Sequence, residues 1–197
     1  MRIIAGEFKG RRLKAPAWPN LRPTSDKLRE TLFNILAPRI AGARVLDVFA
    51  GTGAMGLESL SRGAARAVFV EQDRRAAALV DENATLCGAR NRCAIIRDTA
   101  ERALQKPIAD DPFDVIILDP PYDFEPLAPI VSAAARHLAS GGLIVLEHAR
   151  RRAVPDAPGV RAMRTVFSGD SALTFLATDD KPQMTQIPQI PDTPRSE

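Results

Sequence analysis

At 197 residues with 45% hydrophobic content, the chain can bury one sizeable core, and its length suits one domain better than two. No apolar run approaches the roughly 18 to 20 residues of a membrane span, and Met1 to Glu7 holds no signal-peptide core, so a cytoplasmic protein without membrane contact is expected. The net charge of +3 is unevenly spread: residues 1–29 carry eight Lys or Arg against two acids, a cationic lobe suited to a polyanion, although a solubilising basic end would have the same charge.

In chain order, residues 2–5 and 11–14 around Gly6 and Gly10 suggest a small hairpin with Lys9, Arg11 and Arg12 at its tip. After Pro16, Pro19 and Pro23, a cap at Thr24 or Ser25 opens a helix whose Leu28, Leu32, Phe33, Ile35 and Leu36 keep helical spacing up to Pro38. Residues 1–40 thus form a basic extension ahead of a main domain over 41–179.

From Ala43 onward, apolar runs alternate with helical stretches. Strands are expected near 44–49, 67–71, 93–97, 114–118 and 142–147, and helices near 54–62, 73–87, 99–105 and 124–139. Runs such as Val115-Ile116-Ile117-Leu118, apolar at successive positions, belong in a parallel sheet covered on both faces, so the class is α/β and doubly wound. Residues 161–167 and 172–178, joined by Ser168-Gly169-Asp170, suggest an antiparallel closing hairpin. The Pro-rich segment 180–197 is expected to be a disordered, dispensable tail. Cys87 and Cys93 fit no metal-ligand spacing; they are expected to be reduced structural thiols, and no metal site is foreseen.

Two stretches carry chemistry. Arg44-Val45-Leu46-Asp47-Val48-Phe49 runs into Ala50-Gly51-Thr52-Gly53-Ala54-Met55-Gly56, a G-x-G-x-x-G at a strand-to-helix junction. Phe49, Ala50, Gly51, Thr52, Gly53 and Gly56 would wrap a nucleotide-like cofactor, with Glu71 accepting from ribose hydroxyls and Asp98 reaching the adenine amine. A dinucleotide oxidoreductase shares that pattern. Asp47 separates the two, because an acid in an apolar strand is expensive to bury unless paired, repels a pyrophosphate and favours the sulfonium and ammonium of S-adenosylmethionine.

The second stretch is Asp119-Pro120-Pro121-Tyr122, ending the fourth strand, where ligands of open α/β sheets sit. The prolines remove N–H donors and leave carbonyls, which together with the Asp119 carboxylate suit a planar exocyclic NH2. Tyr122, the only tyrosine, can stack on the base bearing that amine. His137 and His148 are expected to be structural or surface residues.

Taken together, Arg22-Pro23-Thr24-Ser25-Asp26, Arg29-Glu30-Thr31-Leu32-Phe33-Asn34, Asp47 to Gly53, Leu57 to Ala64 and Asp119 to Tyr122 resemble the RsmD family of 16S ribosomal RNA guanine-N2 methyltransferases. The resemblance covers residues 1 to 178. It implies a Rossmann-like class I methyltransferase fold with a seven-stranded, mostly parallel sheet and an antiparallel last strand. It also implies S-adenosylmethionine as cofactor and a guanine of 16S rRNA, in the small subunit or its assembly intermediate, as substrate. Lys9, Arg11, Arg12, Arg22 and Arg29 are the candidates for RNA contact, with Arg22 and Arg29 nearer the active site, and a monomer is expected. The Asp-Pro-Pro-Tyr element is shared with adenine-N6 and cytosine-N4 methyltransferases of DNA and RNA, so it names the chemistry and not the base. A catalytically silent RNA-binding module is the remaining alternative.

Overall fold

The structure, a computed structural model, describes residues 1–16, 26–109 and 111–179. The expected cap at Thr24 or Ser25, Arg22 and the 180–197 tail lie outside the described residues. Among those described, no helix is long and apolar enough to cross a membrane.

Seven strands form one sheet: β1 (Arg44–Val48), β2 (Arg66–Val70), β3 (Cys93–Ile96), β4 (Phe113–Leu118), β5 (Leu138–Ala149), β6 (Val160–Ser168) and β7 (Ser171–Thr178). Their order is β3-β2-β1-β4-β5-β7-β6. The first five run parallel, while β7 is antiparallel to both β5 and β6. β1 and β4 are buried on both faces, as continuous apolar runs dictate, with Val45, Leu46, Val115 and Ile116 at 0% exposure. Helices cover the sheet: α1 (Asp26–Ile40), α2 (Ala54–Ser61), α3 (Arg74–Leu86), α4 (Ala100–Leu104) and α5 (Leu127–Ala135). This is the doubly wound α/β arrangement expected from the βα alternation, and the seven-stranded Rossmann-like sheet with an antiparallel last strand that the family resemblance implies.

Two boundaries depart from expectation for identifiable reasons. The helix foreseen over 124–139 is confined to Leu127–Ala135, with Pro126 as its N-cap residue, because β5 already begins at Leu138 and pairs it with Phe113. A register shift between Phe113 and Val115 absorbs residues 139–142, so that β5 starts ahead of the strand expected near 142–147. Conversely, α1 continues past Pro38 to Ile40. The N–H that Pro38 lacks would have met the Asn34 carbonyl on the exposed side of the helix, where water can serve instead.

The expected N-terminal hairpin is reduced to one antiparallel bridge, Arg2 with Arg12, around a turn over residues 5–10. Its apolar residues Ile3, Phe8 and Leu13 join α1, α2 and one face of the sheet in a single core cluster. The opposite face packs against α4 and α5.

Candidate active site

The strand order reverses between β1 and β4: β1 connects through α2 to β2 on one side, while β4 lies on the other. Loops leaving the carboxyl ends of such strands diverge and open a crevice. A cavity of about 790 Å³ occupies that place, lined on its floor by the acids Asp47, Glu71, Asp98, Asp119 and Glu147. The glycine loop and the Asp-Pro-Pro-Tyr loop, separated by some seventy residues of chain, face one another across it.

The glycine loop is built by hydrogen bonds to two acids. Glu71 accepts the Gly51 N–H at 2.8 Å through Oε2 and the Asp73 N–H at 2.8 Å through Oε1. Each oxygen keeps a lone pair for an incoming hydroxyl. Asp47 accepts the Gly56 N–H at 2.8 Å from the first turn of α2. Phe49 is the one non-glycine residue at positive φ among those described, at 68°, and its ring meets Phe124 edge-on at 5.0 Å between centroids. That contact ties the glycine loop to the segment following Tyr122.

Phe49, Ala50, Gly51 and Thr52 line the cavity, but Gly53 and Gly56 do not. A Cβ on Gly56 would come within 2.3 Å of the Phe69 ring, so this glycine lets α2 lie against β2 rather than letting a ligand reach the backbone. Asp98 lines the cavity and accepts from the Thr99 N–H at 2.9 Å and from Lys106 Nζ at 3.3 Å. Partial desolvation disfavours its charge, yet the Thr99 amide and the cations Lys106 and Arg102 outweigh this and hold its carboxyl below the ordinary value.

Electrostatics set the kind of ligand the cavity can take. Burial pushes the Asp47 carboxyl well above its ordinary range against the Gly56 hydrogen bond, and the charges of Asp119 and Glu71 push it further. A pyrophosphate would add to this repulsion, whereas a ligand bearing fixed positive charge relieves it. The site also holds one buried cation. Arg29, on α1, is 0% exposed and lines the cavity; its Nη2 donates to the Arg2 carbonyl at 2.6 Å and to Asp26 at 2.9 Å. Its Nε and Nη1 have no hydrogen-bond partner among the described residues. Arg29, named as a candidate for RNA contact nearer the active site, forms part of the cavity wall and is buried there.

The Asp119-Pro120-Pro121-Tyr122 loop forms the opposite wall. Its backbone is held from outside. Arg152 donates through Nη1 to the Tyr122 carbonyl at 3.0 Å and through Nη2 to the Phe124 carbonyl at 2.7 Å, while pairing with the Glu125 carboxylate. The Tyr122 hydroxyl is 2.7 Å from Ser171 Oγ at the β6–β7 turn, and the ring is 37% exposed at the mouth.

Residues 1–177 match the family model described as "Conserved hypothetical protein 95". The chain belongs to the RsmD family. It is 39% identical over 162 residues to "Putative rRNA methyltransferase YlbH" of Bacillus subtilis, covering 81% of this chain and 88% of the relative. It is 38% identical over 160 residues to "Ribosomal RNA small subunit methyltransferase D" of Escherichia coli K12, covering 80% and 79%. Among solved structures it superposes on "Putative methyltransferase yhhF from Escherichia coli" with a TM-score of 0.81 at 34% identity, covering 92% of this chain and 99% of the other.

In this RsmD-family chain the basic arm is bolted to α2 by residues to which sequence reasoning gave no role. Glu58, 0% exposed on α2, accepts the Ile4 N–H at 2.7 Å, the Ala5 N–H at 3.0 Å and Arg62 Nε at 2.8 Å. Ser61 Oγ accepts the Phe8 N–H at 2.9 Å, and its carbonyl accepts the Glu7 N–H at 2.7 Å. The arm passes so close that a Cβ on Gly6, at φ 84°, would meet the Ser61 carbonyl oxygen at 1.8 Å. Asn83 of α3 joins the same assembly, accepting the Lys14 N–H at 2.8 Å and donating to the Thr52 carbonyl at 3.0 Å. The available signal was Glu58 and Ser61 inside a short helix with no exposed face: buried polar groups demand partners. Lys9, Arg11 and Arg12 stay exposed on this arm; Arg11 donates to the Leu86 carbonyl at 2.7 Å.

The histidines and cysteines are structural. His137 Nε2 lies 2.9 Å from the Leu104 carbonyl, and His148 bridges the Ala149 carbonyl and Thr174 Oγ1. Burial pushes the Cys93 thiol up to about 11, so neither it nor the buried Cys87 is a ready thiolate.

Proposed function

We propose that this protein transfers a methyl group from S-adenosylmethionine to the exocyclic N2 of a guanine in 16S ribosomal RNA, in the small subunit or its assembly intermediate. One observation carries the reading: the Asp-Pro-Pro-Tyr loop and the acid-lined glycine loop share a single cavity. The donor set fits the cofactor by charge, since Asp47, Glu71 and Glu147 meet a cationic ligand. The bound cofactor supplies an electrophilic methyl on a sulfonium. Glu71 accepts from ribose hydroxyls, Asp98 from the adenine amine, and the Arg29 nitrogens that have no partner among the described residues offer donors for the methionine carboxylate.

On the substrate side, Tyr122 stacks on the flipped or unpaired base. The Asp119 carboxylate and the Pro120 carbonyl accept the two N–H groups of the amine. This holds the nitrogen in line with the methyl and favours localisation of a lone pair otherwise spread into the ring. Once methylated, the amine nitrogen would be acidic, and Asp119 or water would take its proton. No strong base is needed. The exposed Lys9, Arg11 and Arg12, and Arg22 with them, meet RNA phosphates. The protein acts as a cytoplasmic monomer without a metal.

The test is transfer from isotopically labelled S-adenosylmethionine to unmodified small-subunit particles, naked 16S RNA and duplex DNA, followed by nucleoside analysis, with Asp119→Ala as control. N2-methylguanosine from ribosomal RNA, absent with the variant, is expected. Label only in DNA, or on adenine or cytosine, overturns the base and substrate; RNA binding without turnover in either protein favours a silent binding module.

A further inference from the structure

The β6–β7 turn carried no role in the sequence and none in the chemistry above, yet Ser168, Asp170 and Ser171 line the cavity mouth. Ser171 contacts the Tyr122 hydroxyl, so the turn touches the proposed base-stacking ring directly. One residue before Ser168, Phe167 is 53% exposed on the edge strand β6. A single exposed phenylalanine is ordinary on a protein surface. This one is not isolated, because the Arg150 guanidinium lies over its ring at 5.0 Å from the centroid. Arg150 is itself anchored to the turn, its N–H donating to the Asp170 carbonyl at 2.7 Å. It opens the run Arg150-Arg151-Arg152, whose third member clamps the Asp-Pro-Pro-Tyr loop.

A half-exposed aromatic ring with a guanidinium on one face, next in sequence to the cavity-lining Ser168 though not itself lining the cavity, offers the kinds of surface on which proteins stack unpaired nucleotides. The surrounding charge has the matching sign: Arg150 and Arg151 are exposed beside it, and Arg161 is exposed along β6. Asp170 is the opposing acid at the turn. We propose that Phe167 and Arg150 form a stacking clamp for a nucleotide flanking the target base in single-stranded RNA. The RNA then crosses the mouth from the basic arm on one side to this clamp on the other, and Tyr122 lies between them. Ser171, through the Tyr122 hydroxyl, keeps the two stacking rings in fixed relation. This inference rests on the RNA-methyltransferase reading of the cavity.

The experiment compares full-length wild type with Phe167→Ala, Phe167→Leu, Phe167→Trp and Arg151→Ala, measuring Kd and KM for naked 16S RNA and for assembled small-subunit particles, the salt dependence of RNA binding, and affinity for S-adenosylhomocysteine. Loss of one stacked base predicts that Ala and Leu weaken RNA binding by about 5- to 100-fold while Trp retains it. Cofactor affinity should be unchanged in all four, which also reports that each variant is folded. The slope of log Kd against log salt should stay unchanged in the Phe167 variants and fall by about one in Arg151→Ala, because only the latter gives up a phosphate contact. Leu matching wild type overturns stacking. A defect confined to assembled particles, with naked RNA unaffected, overturns the nucleotide clamp and assigns the surface to a ribosomal protein. Wild type that neither binds nor methylates rRNA defeats the functional reading itself, whereas active wild type with indifferent Phe167 variants defeats only the clamp.

Discussion

The two walls of the cavity are built in opposite ways. The glycine-loop wall is stabilised from within: buried Asp47 and half-buried Glu71 accept backbone N–H groups of the first turn of α2 and of the loop before it, and α2 has no exposed residue. The Asp-Pro-Pro-Tyr wall is held from without, by Arg152 on its carbonyls and Ser171 on its tyrosine, contributed 28 to 49 residues later in the chain. The first wall stores unfavourable charge that a ligand can relieve, and the second presents acceptors to a group that arrives and leaves. The difference teaches that one wall should answer to mutation through cofactor affinity and the other through turnover.

The largest effect expected separates them outright. Asp119→Ala should lower kcat by about 10²–10³-fold, the range seen when a single group that stabilises a transition state is removed, with S-adenosylhomocysteine affinity unchanged. Parallel loss of cofactor affinity, read by calorimetry, would merge the two walls into one functional unit.

Asp47→Asn tests the first wall from the opposite direction. Because its carboxyl is raised in the folded chain, Asp47 is neutral in folded and unfolded forms below the ordinary value of 3.8 and costs nothing there. As pH rises, the unfolded carboxyl ionises first, so the penalty on the ligand-free fold grows until the folded carboxyl ionises as well, and then stays constant. The Asn variant should therefore melt at a higher temperature than wild type at neutral pH and at nearly the same temperature in acid, while binding S-adenosylmethionine at least tenfold more weakly. Thermal scans across pH check the first claim. A variant less stable than wild type at neutral pH would mean that Asp47 is structural.

Arg29 should follow with a smaller effect. Arg29→Gln is expected to weaken S-adenosylmethionine binding by about tenfold, as loss of one hydrogen bond to a charged group does, and to leave binding of the decarboxylated analogue nearly unaltered. Equal losses for both ligands would show that Arg29 only props the wall through Arg2 and Asp26. Its burial was within reach of the sequence, since Arg29, Leu32, Phe33 and Leu36 fall on one helical face, but arginine in that position is more often solvent-facing. The strand positions and both loops were legible because local pattern determines them: continuous apolar runs make two-sided strands, and glycine spacing makes the turn. What escaped was contact between distant segments. Nothing local to Glu58 or Asn83 announces the arm they bind, and nothing in Arg150-Arg151-Arg152 shows that one arginine clamps a loop while its neighbour lies over Phe167.

Arg152 gives the smallest and most selective way to sharpen the comparison. Its planar fork spans two carbonyls, of Tyr122 and Phe124, which a lysine ammonium cannot do in the same geometry. Arg152→Lys keeps the charge and the pairing with Glu125 but gives up one backbone hydrogen bond, worth about 1 kcal/mol, or roughly fivefold. If the Asp-Pro-Pro-Tyr wall works by holding the amine in line, that loss should fall on kcat, with cofactor affinity untouched because Arg152 does not line the cavity. Glu125→Gln is the necessary partner measurement. It removes the ion pair, whose carboxylate side chain is 68% exposed and hence screened by water, and leaves both carbonyl contacts in place. A fall in kcat with Arg152→Lys but not with Glu125→Gln assigns the effect to the carbonyl clamp. Equal falls would instead make the surface charge the element that shapes the wall.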